Sequence, residues 1–287
     1  MKKVLIQLDT DPQPSAFDSI VALDADVDAL LRYGGVSAEA APEIVRDAFF
    51  TRGPGELATI AVWVGGSNVP AGEAVLAAVQ GAFFGPFRVS AMLDSNGANT
   101  TAATAVAKLA GERELAGARA VVVGLGAVGV RSATLLAREG CEVTVAAIPA
   151  SRFGDDYRTP RGLAVAREMG LDPVEPASEE ELEELLDGAA VVLAAGPPGV
   201  QVLSREVWSA NPTIELLADY NATEPPGLEG VEAGDDLVER EGKLVLGAIA
   251  IGGRKMKVHK ACLRRLFESN EEILEVDGVY EIARQVV

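Results

Sequence analysis

Histidine, cysteine and basic side chains are scarce in this chain, and each scarcity excludes a class of function. One histidine, His259, among 287 residues rules out a metal site or proton relay built from several histidines. Two cysteines are too few for a disulfide framework and predict a reducing, cytoplasmic location. With 25 basic against 43 acidic residues, the net charge of −18 disfavours nucleic acid and anionic membranes as partners. No apolar run approaches the length that spans a bilayer.

The apolar residues that are present, 48% of the chain, form short runs that alternate with helical patterns. This alternation predicts an α/β fold. Strands are expected at residues 4–8, 57–64, 87–93, 118–123, 142–147, 189–194, 214–218 and 244–246. Helices are expected after Ser15 and Ser178 and at residues 71–82, 99–109, 130–138, 163–169, 256–267 and 276–287.

A glycine turn between a predicted strand and a predicted helix is the clearest local motif. Gly124, Gly126 and Gly129 form the pattern G-x-G-x-x-G. In this context the pattern predicts dinucleotide binding: the first glycine permits a tight turn, the second admits the pyrophosphate, and the third allows close packing. Ala127 and Val128 begin the helix whose free N–H groups would face the phosphates. The alternative is an ordinary glycine-rich turn.

The strand after this turn, residues 142–147, does not end in the acidic residue that usually binds the ribose of NAD. The loop that follows contains Ser151, Arg152, Arg158 and Arg161. A basic loop in so acidic a chain favours the 2′-phosphate of NADP, with Ser151 and Arg152 as the first candidates. The alternative is a solvated loop, and NAD then stays possible.

Several longer motifs carry a family resemblance that covers nearly the whole chain. They are QLDTDPQPSAFD, VGGSNVPAGE, FFGPFRVSAMLDSNGANTTAA, ADYNATEPPG and GAIAIGGRKMKVHKACLRRLFE. The chain resembles the NAD(P)-dependent methylene-tetrahydromethanopterin dehydrogenases of methylotrophic bacteria, some of which also act on methylene-tetrahydrofolate. The resemblance implies an N-terminal α/β pterin-binding domain, a Rossmann NAD(P)-binding domain and a cleft between them. It also implies a homo-oligomer, a trimer or a dimer of trimers.

We place the pterin-binding domain at residues 1–112, with the C-terminal helix 270–287 packing back on it, and the cofactor domain at residues 113–269. The implied reaction moves a hydride from the methylene carbon to NADP⁺ and produces a methenyl cation. No proton moves in that step, so catalysis needs two rings held face to face and water excluded rather than an acid or base. A single histidine is therefore no obstacle.

Lys255 and Lys257 lie in the motif GGRKMKVHK. By the resemblance, Lys255 matches the active-site lysine, which can hold a carbonyl of the pterin or nicotinamide or order a water. Lys257 is a second substrate-binding candidate. The alternative for both is a basic helix start on an acidic protein, and His259 is expected to be structural or exposed to solvent.

Polar residues after two predicted strands are the other substrate-binding candidates, because ligands bind where the strands of an open α/β sheet end. Within the pterin frame, carboxylates suit the aminopyrimidine and an aromatic ring can stack on it. The alternatives are turns, helix caps and a core phenylalanine, and we expect no metal because the acidic residues lack the spacing of a calcium loop. The candidates are Asp9, Phe17, Asp18, Asn96, Asn99, Thr100 and Thr101.

Two further strand ends supply cofactor candidates. Ala195 and Gly196 follow one strand and can line the nicotinamide ribose, and Asn221 follows the next. The alternatives are a glycine–proline turn and a loop-capping asparagine.

Two other functions compete with the dehydrogenase. A bifunctional methylene-tetrahydrofolate dehydrogenase/cyclohydrolase would also hydrolyse the methenyl product. A non-catalytic NADP(H)-binding redox sensor would turn over no pterin, although a sensor has no need of a pterin site.

Overall fold

The computed structural model describes residues 1–152 and 159–287, and the contacts divide the chain into two compact units. Unit 1 comprises Met1–Thr100 and Lys255–Val287, and unit 2 comprises Thr101–Arg254. Among the described residues, no helix is both long enough and apolar enough to cross a membrane.

Unit 1 is built on a five-stranded parallel sheet in the order β12-β4-β3-β1-β2. Its strands are β1 (Val4–Asp9), β2 (Ala29–Tyr33), β3 (Ile60–Gly65), β4 (Ser90–Leu93) and β12 (Ile273–Leu274). Its helices are α1 (Ala16–Leu23), α2 (Ala41–Phe49), α3 (Val69–Gly81) and α10 (Val276–Val286). β1, β3 and β4 are almost entirely buried, which is why they read as continuous apolar runs.

Unit 2 contains a seven-stranded sheet in the order β10-β11-β9-β8-β5-β6-β7. Its strands are β5 (Arg119–Val123), β6 (Glu142–Ala146), β7 (Pro173–Val174), β8 (Val191–Ala194), β9 (Leu216–Asp219), β10 (Asp236–Arg240) and β11 (Lys243–Leu246). Its helices are α5 (Ala127–Arg138), α6 (Thr159–Glu168), α7 (Glu179–Glu184) and α8 (Arg205–Ala210).

All strand pairs of unit 2 are parallel except β10 with β11. When β10 is left out and the other six strands are numbered 1 to 6 along the chain, their order in the sheet from β7 to β11 is 3-2-1-4-5-6. This is the order of dinucleotide-binding Rossmann sheets. The predicted α/β class and Rossmann fold are confirmed. The point at which the strand order reverses lies between β5 and β8, so ligands are expected at the ends of these two strands.

Two helices carry the chain from one unit to the other: α4 (Ala98–Glu112) and α9 (Ala248–Arg265). By contacts the chain divides at residues 100/101 and 254/255, inside these two helices, whereas the sequence prediction placed its boundaries at 112/113, just before the glycine-rich unit, and at 269/270.

Candidate functional site

Asp9 ends β1 in unit 1 and organises the loop that follows it. One carboxylate oxygen accepts a hydrogen bond from the backbone N–H of Asp11 (2.9 Å), and the other accepts from the N–H of Ser15 (3.1 Å) and from Nε2 of Gln7 (3.4 Å). Asp9 is buried, with an exposed fraction of 1%. Its carboxylate is thus already engaged in holding the loop that leads into α1.

The first turn of α1 presents an aromatic ring and a second carboxylate. The Ser15 hydroxyl caps this helix by accepting from the N–H of Asp18 (3.2 Å). Phe17 is not a core residue, because 54% of it is exposed. Burial raises the pKa of Asp18 from 3.8 to about 6, with a further rise from Asp94 and a partial offset from Lys255.

A glycine at the end of β3 lies near both carboxylates. A Cβ on Gly65 would lie 3.7 Å from an oxygen of Asp18 and 3.7 Å from an oxygen of Asp9. The two carboxylates therefore face the same position at the strand end. Asp9 and Gly65 are themselves buried, so Asp18, which is partly exposed, is the carboxylate of this pair that a ligand can reach.

Lys255 completes this group from α9. Its Nζ lies 6.0 Å from the centre of the Phe17 ring, and its charge lowers the pKa of Asp18. The structure thus brings together Phe17, Asp18 and Lys255, which the sequence nominated from opposite ends of the chain. Lys257 is exposed, and two residues along a helix it points away from Lys255.

The loop after β4 is mostly structural. Oδ1 of Asp94 accepts from the backbone N–H of Thr100 (2.9 Å), Oδ2 accepts from its hydroxyl (2.6 Å), and Nδ2 of Asn99 donates to the carbonyl of Leu93 (2.7 Å). Asn99 and Thr100 are buried, so these bonds fix the start of α4. Asn96 is exposed and adopts a left-handed conformation with φ 53°.

Thr101 is assigned to unit 2 and is half-buried. Of the four candidates in this loop, Asn96 is the one whose exposed side chain is open to a ligand.

His259 lies one helical turn beyond Lys255 and is buried rather than exposed to solvent. Its ring packs edge-on against Trp63, with centroids 4.9 Å apart, and Nδ1 lies 4.0 Å from Oδ2 of Asp94. Among the described residues, neither ring nitrogen has a hydrogen-bond partner. Burial lowers the pKa of His259 to about 4, which Asp94 opposes and Lys255 reinforces. His259 is therefore neutral at physiological pH.

The glycine turn in unit 2 has the geometry that its sequence predicts. Gly124 has φ +123°, and a Cβ there would lie 2.3 Å from the carbonyl oxygen of Ala195. A Cβ on Gly129 would lie 2.1 Å from the carbonyl oxygen of Gly124. At Gly126, by contrast, the nearest atom would be 4.0 Å away. Gly124 and Gly129 are needed for packing, while Gly126 leaves open space where a phosphate can approach the helix.

Ala127 and Val128 form the first turn of α5 at this opening and are half-buried. Their backbone N–H groups can therefore receive a phosphate, as the motif predicts.

The end of β8 meets the same turn. The N–H of Ala195 donates to the carbonyl of Val123 (2.8 Å), and Gly196 packs so closely that a Cβ would lie 2.8 Å from Val202. Asn221 is buried, where its Nδ2 donates to the carbonyl of Pro225 (2.9 Å) and its Oδ1 accepts from the N–H of Thr223 (2.8 Å). The side chain of Asn221 is thus engaged in hydrogen bonds within its own loop.

The basic loop after β6 is described in part. Ser151 is exposed in a short 3-10 helix, Ala150–Arg152. The side chain of Arg152 and the whole of Arg158 lie outside the described residues. Within residues 1–152 and 159–287, no group of three or more His, Cys, Asp or Glu side chains is placed to hold a metal ion.

Sequence reasoning missed one contributor to the site. Asp94 was noted within its motif but was not nominated, although its field raises the pKa of Asp18. His259 was expected to be structural or exposed to solvent, and its burial against Trp63 agrees with the structural alternative. A signal existed for Asp94, because it directly follows a buried strand as Asp9 does.

Comparison with known proteins agrees with both halves of this picture. A family model described as methylene-tetrahydromethanopterin dehydrogenase, N-terminal, matches residues 16–96, and one described as putative NAD(P)-binding matches residues 113–220. The bifunctional protein MdtA of Methylorubrum extorquens is 41% identical over 290 residues, covering 99% of both chains. The NAD(P)-dependent methylenetetrahydromethanopterin dehydrogenase of the same organism is 27% identical over 284 residues, covering 95% of this chain and 94% of that protein.

Solved structures support the fold. Shikimate 5-dehydrogenase from Listeria monocytogenes aligns with a TM-score of 0.56 at 13% identity, covering 98% of this chain and 96% of that chain. The N5,N10-methylenetetrahydrofolate dehydrogenase-cyclohydrolase of Trypanosoma brucei, complexed with NADP and an inhibitor, aligns with a TM-score of 0.51 at 17% identity, covering 93% and 86%.

Proposed function

Because this chain belongs to the methylene-tetrahydromethanopterin dehydrogenase family of NAD(P)-binding one-carbon oxidoreductases, we propose that it oxidises methylene-tetrahydromethanopterin, or methylene-tetrahydrofolate, to the methenyl form with NADP⁺. The observation that carries this proposal is the group formed by Phe17, Asp18 and Lys255 at the strand ends of unit 1. An aromatic face, a carboxylate and an ammonium match the ring, the N–H donors and the carbonyl of a pterin.

The charges around this group suit the reaction. Oxidation of the methylene carbon creates a cation, and the carboxylates of Asp18, Asp94 and Asp9 favour positive charge nearby. Lys255 has the same sign as the product, so its role is to hold a carbonyl or order a water. Phe17, half of which is exposed, offers a face for stacking that fixes the orientation of the pterin.

The cofactor is held by the glycine turn of unit 2. When bound, NADP⁺ supplies the hydride acceptor. The open position at Gly126 and the N–H groups of Ala127 and Val128 receive the pyrophosphate. Ala195 and Gly196 end β8 beside the same turn and offer backbone groups toward the nicotinamide ribose.

We also propose that the protein works in the cytoplasm as a homo-oligomer, a trimer by family resemblance. Exposed aromatic side chains support self-association: Phe50 is 74% and Phe84 is 46% exposed, and their ring centroids lie 6.4 Å apart. The molar mass from light scattering tests this, and a monomeric mass contradicts it.

The decisive test is an absorbance assay with methylene-tetrahydromethanopterin and methylene-tetrahydrofolate, each with NADP⁺ and with NAD⁺. Nucleotide reduction matched by methenyl-pterin formation is expected in at least one NADP⁺ pair. No turnover in any pair, together with demonstrated nucleotide binding, would favour a redox sensor. Faster hydrolysis of added methenyl-pterin without nucleotide would indicate a cyclohydrolase.

A variant separates the roles of the two units. Lys255→Ala should lower kcat/KM for the pterin about tenfold or more while leaving NADPH affinity unchanged, because Lys255 belongs to unit 1. Lys260→Ala is the matched control on the same helix, since its Nζ pairs with Asp24 at 3.6 Å. Unchanged turnover in Lys255→Ala would contradict the assignment of this site.

A further inference from the structure

The imidazole of His259 lies in the core of unit 1, where its polar atoms are buried without partners. Its exposed fraction is 1%, and neither ring nitrogen has a hydrogen-bond partner among the residues that the structure describes. The same is true of Nε1 of Trp63, whose ring packs edge-on against the imidazole at a centroid distance of 4.9 Å. Buried polar atoms without protein partners mark the places where internal waters bind.

The distance from His259 to Asp94 fits a bridge through one such water. Nδ1 of His259 lies 4.0 Å from Oδ2 of Asp94, which is too far for a direct hydrogen bond. A water about 2.8 Å from both atoms spans this distance at an angle of about 90°. Oδ2 of Asp94 also accepts from the hydroxyl of Thr100 (2.6 Å), and a carboxylate oxygen has a second lone pair for the water.

The charge of Asp94 also determines which nitrogen of the imidazole carries the proton. Burial keeps His259 neutral by lowering its pKa to about 4, so one ring nitrogen is protonated and the other is not. The nitrogen that faces the carboxylate is Nδ1, where a proton is attracted and a lone pair would be repelled. We therefore expect the tautomer with the proton on Nδ1, and this N–H donates to the water.

Lys255 and His259 share one face of α9, because they are four residues apart in the same helix. The charge of Lys255 acts on both His259 and Asp18, and the charge of Asp94 acts on the same two groups. These four side chains form one electrostatic cluster within unit 1. A ring held between Trp63 and Asp94 fixes the rotation of α9 about its axis, and so fixes the direction in which Lys255 leaves the helix.

We infer that neutral His259, with its proton on Nδ1, positions Lys255 for the reaction by holding the Asp94 carboxylate through one internal water. Because His259 is buried, it acts through Lys255 and Asp94 and not on the pterin itself. The inference rests on the proposed function, since it assumes that Lys255 contacts the pterin. It goes beyond a structural role, because packing against Trp63 requires only an aromatic ring.

The first test is ¹⁵N NMR of the imidazole in the full chain at pH 7.5. His259 is the only histidine of the sequence, so its signals need no assignment. We expect a neutral ring that is protonated on Nδ1. A ring protonated on Nε2, or on both nitrogens, would show that the bridge to Asp94 does not form as inferred.

Three substitutions separate positioning from packing. His259→Phe keeps a ring against Trp63 but has no N–H, and His259→Gln places its amide near the position of Nε2. His259→Asn places an amide N–H near the position of Nδ1 but leaves a cavity. We expect kcat/KM for the pterin to fall about five- to tenfold in His259→Phe and His259→Gln, the loss of one hydrogen bond, and less than about threefold in His259→Asn. His259→Asn should nevertheless have a lower Tm than His259→Phe.

Leu263→Ala is the matched control, because Leu263 is a buried residue one turn further along α9. It should lower Tm and leave kcat/KM unchanged, which shows that reduced stability alone does not reduce turnover. Full activity in His259→Phe, or activity that follows Tm across the three variants, would overturn the inference and leave His259 a packing residue. If the unsubstituted protein turns over no pterin, the proposed function fails together with the positioning role, while the tautomer still decides whether the bridge exists.

Discussion

Replacing Asp18 by asparagine should stabilise the protein at neutral pH while impairing its activity. Asp18 is partly buried, and its pKa is raised from 3.8 to about 6, chiefly by burial and then by Asp94. In the unfolded chain this carboxyl ionises near 3.8, so folding becomes less favourable as pH rises from 3.8 to 6. Asparagine has a similar shape and carries no charge, so the variant avoids this penalty.

The magnitude follows from the pKa difference. The difference corresponds to about 3 kcal/mol at pH values above both pKa values, and solvent screening of a partly buried group reduces it to about 1–3 kcal/mol. The advantage of Asp18→Asn should be complete at pH 7.5, about one third as large at pH 4.5, and absent below the unfolded pKa. Below pH 6, kcat/KM of the unsubstituted enzyme should fall as Asp18 becomes protonated, and the variant should lack this limb.

Urea denaturation at pH 7.5 and pH 4.5 measures the stability, and pterin turnover across the same range measures the activity. Asp24→Asn is a suitable control, because Asp24 is an exposed acid that caps the end of the same helix and pairs with Lys260. It should not stabilise the protein. The reasoning would be refuted if Asp18→Asn is less stable than the unsubstituted protein at pH 7.5. It would also be refuted if the difference in unfolding free energy between the two proteins does not change with pH.

Other predictions concern the glycine turn, the buried histidine and the loop after β1. Gly126→Val should weaken NADPH binding in calorimetry without lowering Tm, whereas Gly129→Val should lower Tm, because its Cβ would lie 2.1 Å from backbone. His259→Phe should reduce the loss of stability between pH 6.5 and about 4 in urea titrations, because burial disfavours the charged imidazole beside Trp63. Asp9→Ala should cost about 2–4 kcal/mol in urea denaturation by leaving buried N–H groups without an acceptor.

The sequence predicts the buried centre of each sheet better than its edges. β5 and β8 are buried runs of valine, leucine and alanine bounded by turn residues, and the structure has strands there. β2 was missed because it is an edge strand that reads ALLRY, with three exposed residues at its end. The sequence prediction began α9 at Met256, after two glycines, but the helix starts at Ala248 and continues through them. Tertiary packing decides such positions, and local pattern does not.

In the candidate site, too, the sequence predicts some residues correctly and fails where burial decides. The sequence, with the family resemblance, nominated Phe17, Asp18 and Lys255, and the structure brings them together. It also nominated Asn99 and Thr100, whose side chains turn out to be buried at the start of α4. Residue type and motif can suggest a ligand, but burial depends on the packing of distant segments.

The carboxylate of Asp94 has an evolutionary consequence. It ties down Thr100 at the start of α4, lies beside His259, and contributes to the raised pKa of Asp18. Selection for the amount of folded protein and selection for catalytic turnover therefore both act on the Asp94 side chain. A deep mutational scan should find that Asp94 tolerates no substitution under either selection. Lys255 should tolerate substitution when cells are sorted for protein level, and lose that tolerance only when growth depends on the enzyme's activity. Sites of the first kind constrain how far a family can diverge, and sites of the second kind let it change substrate.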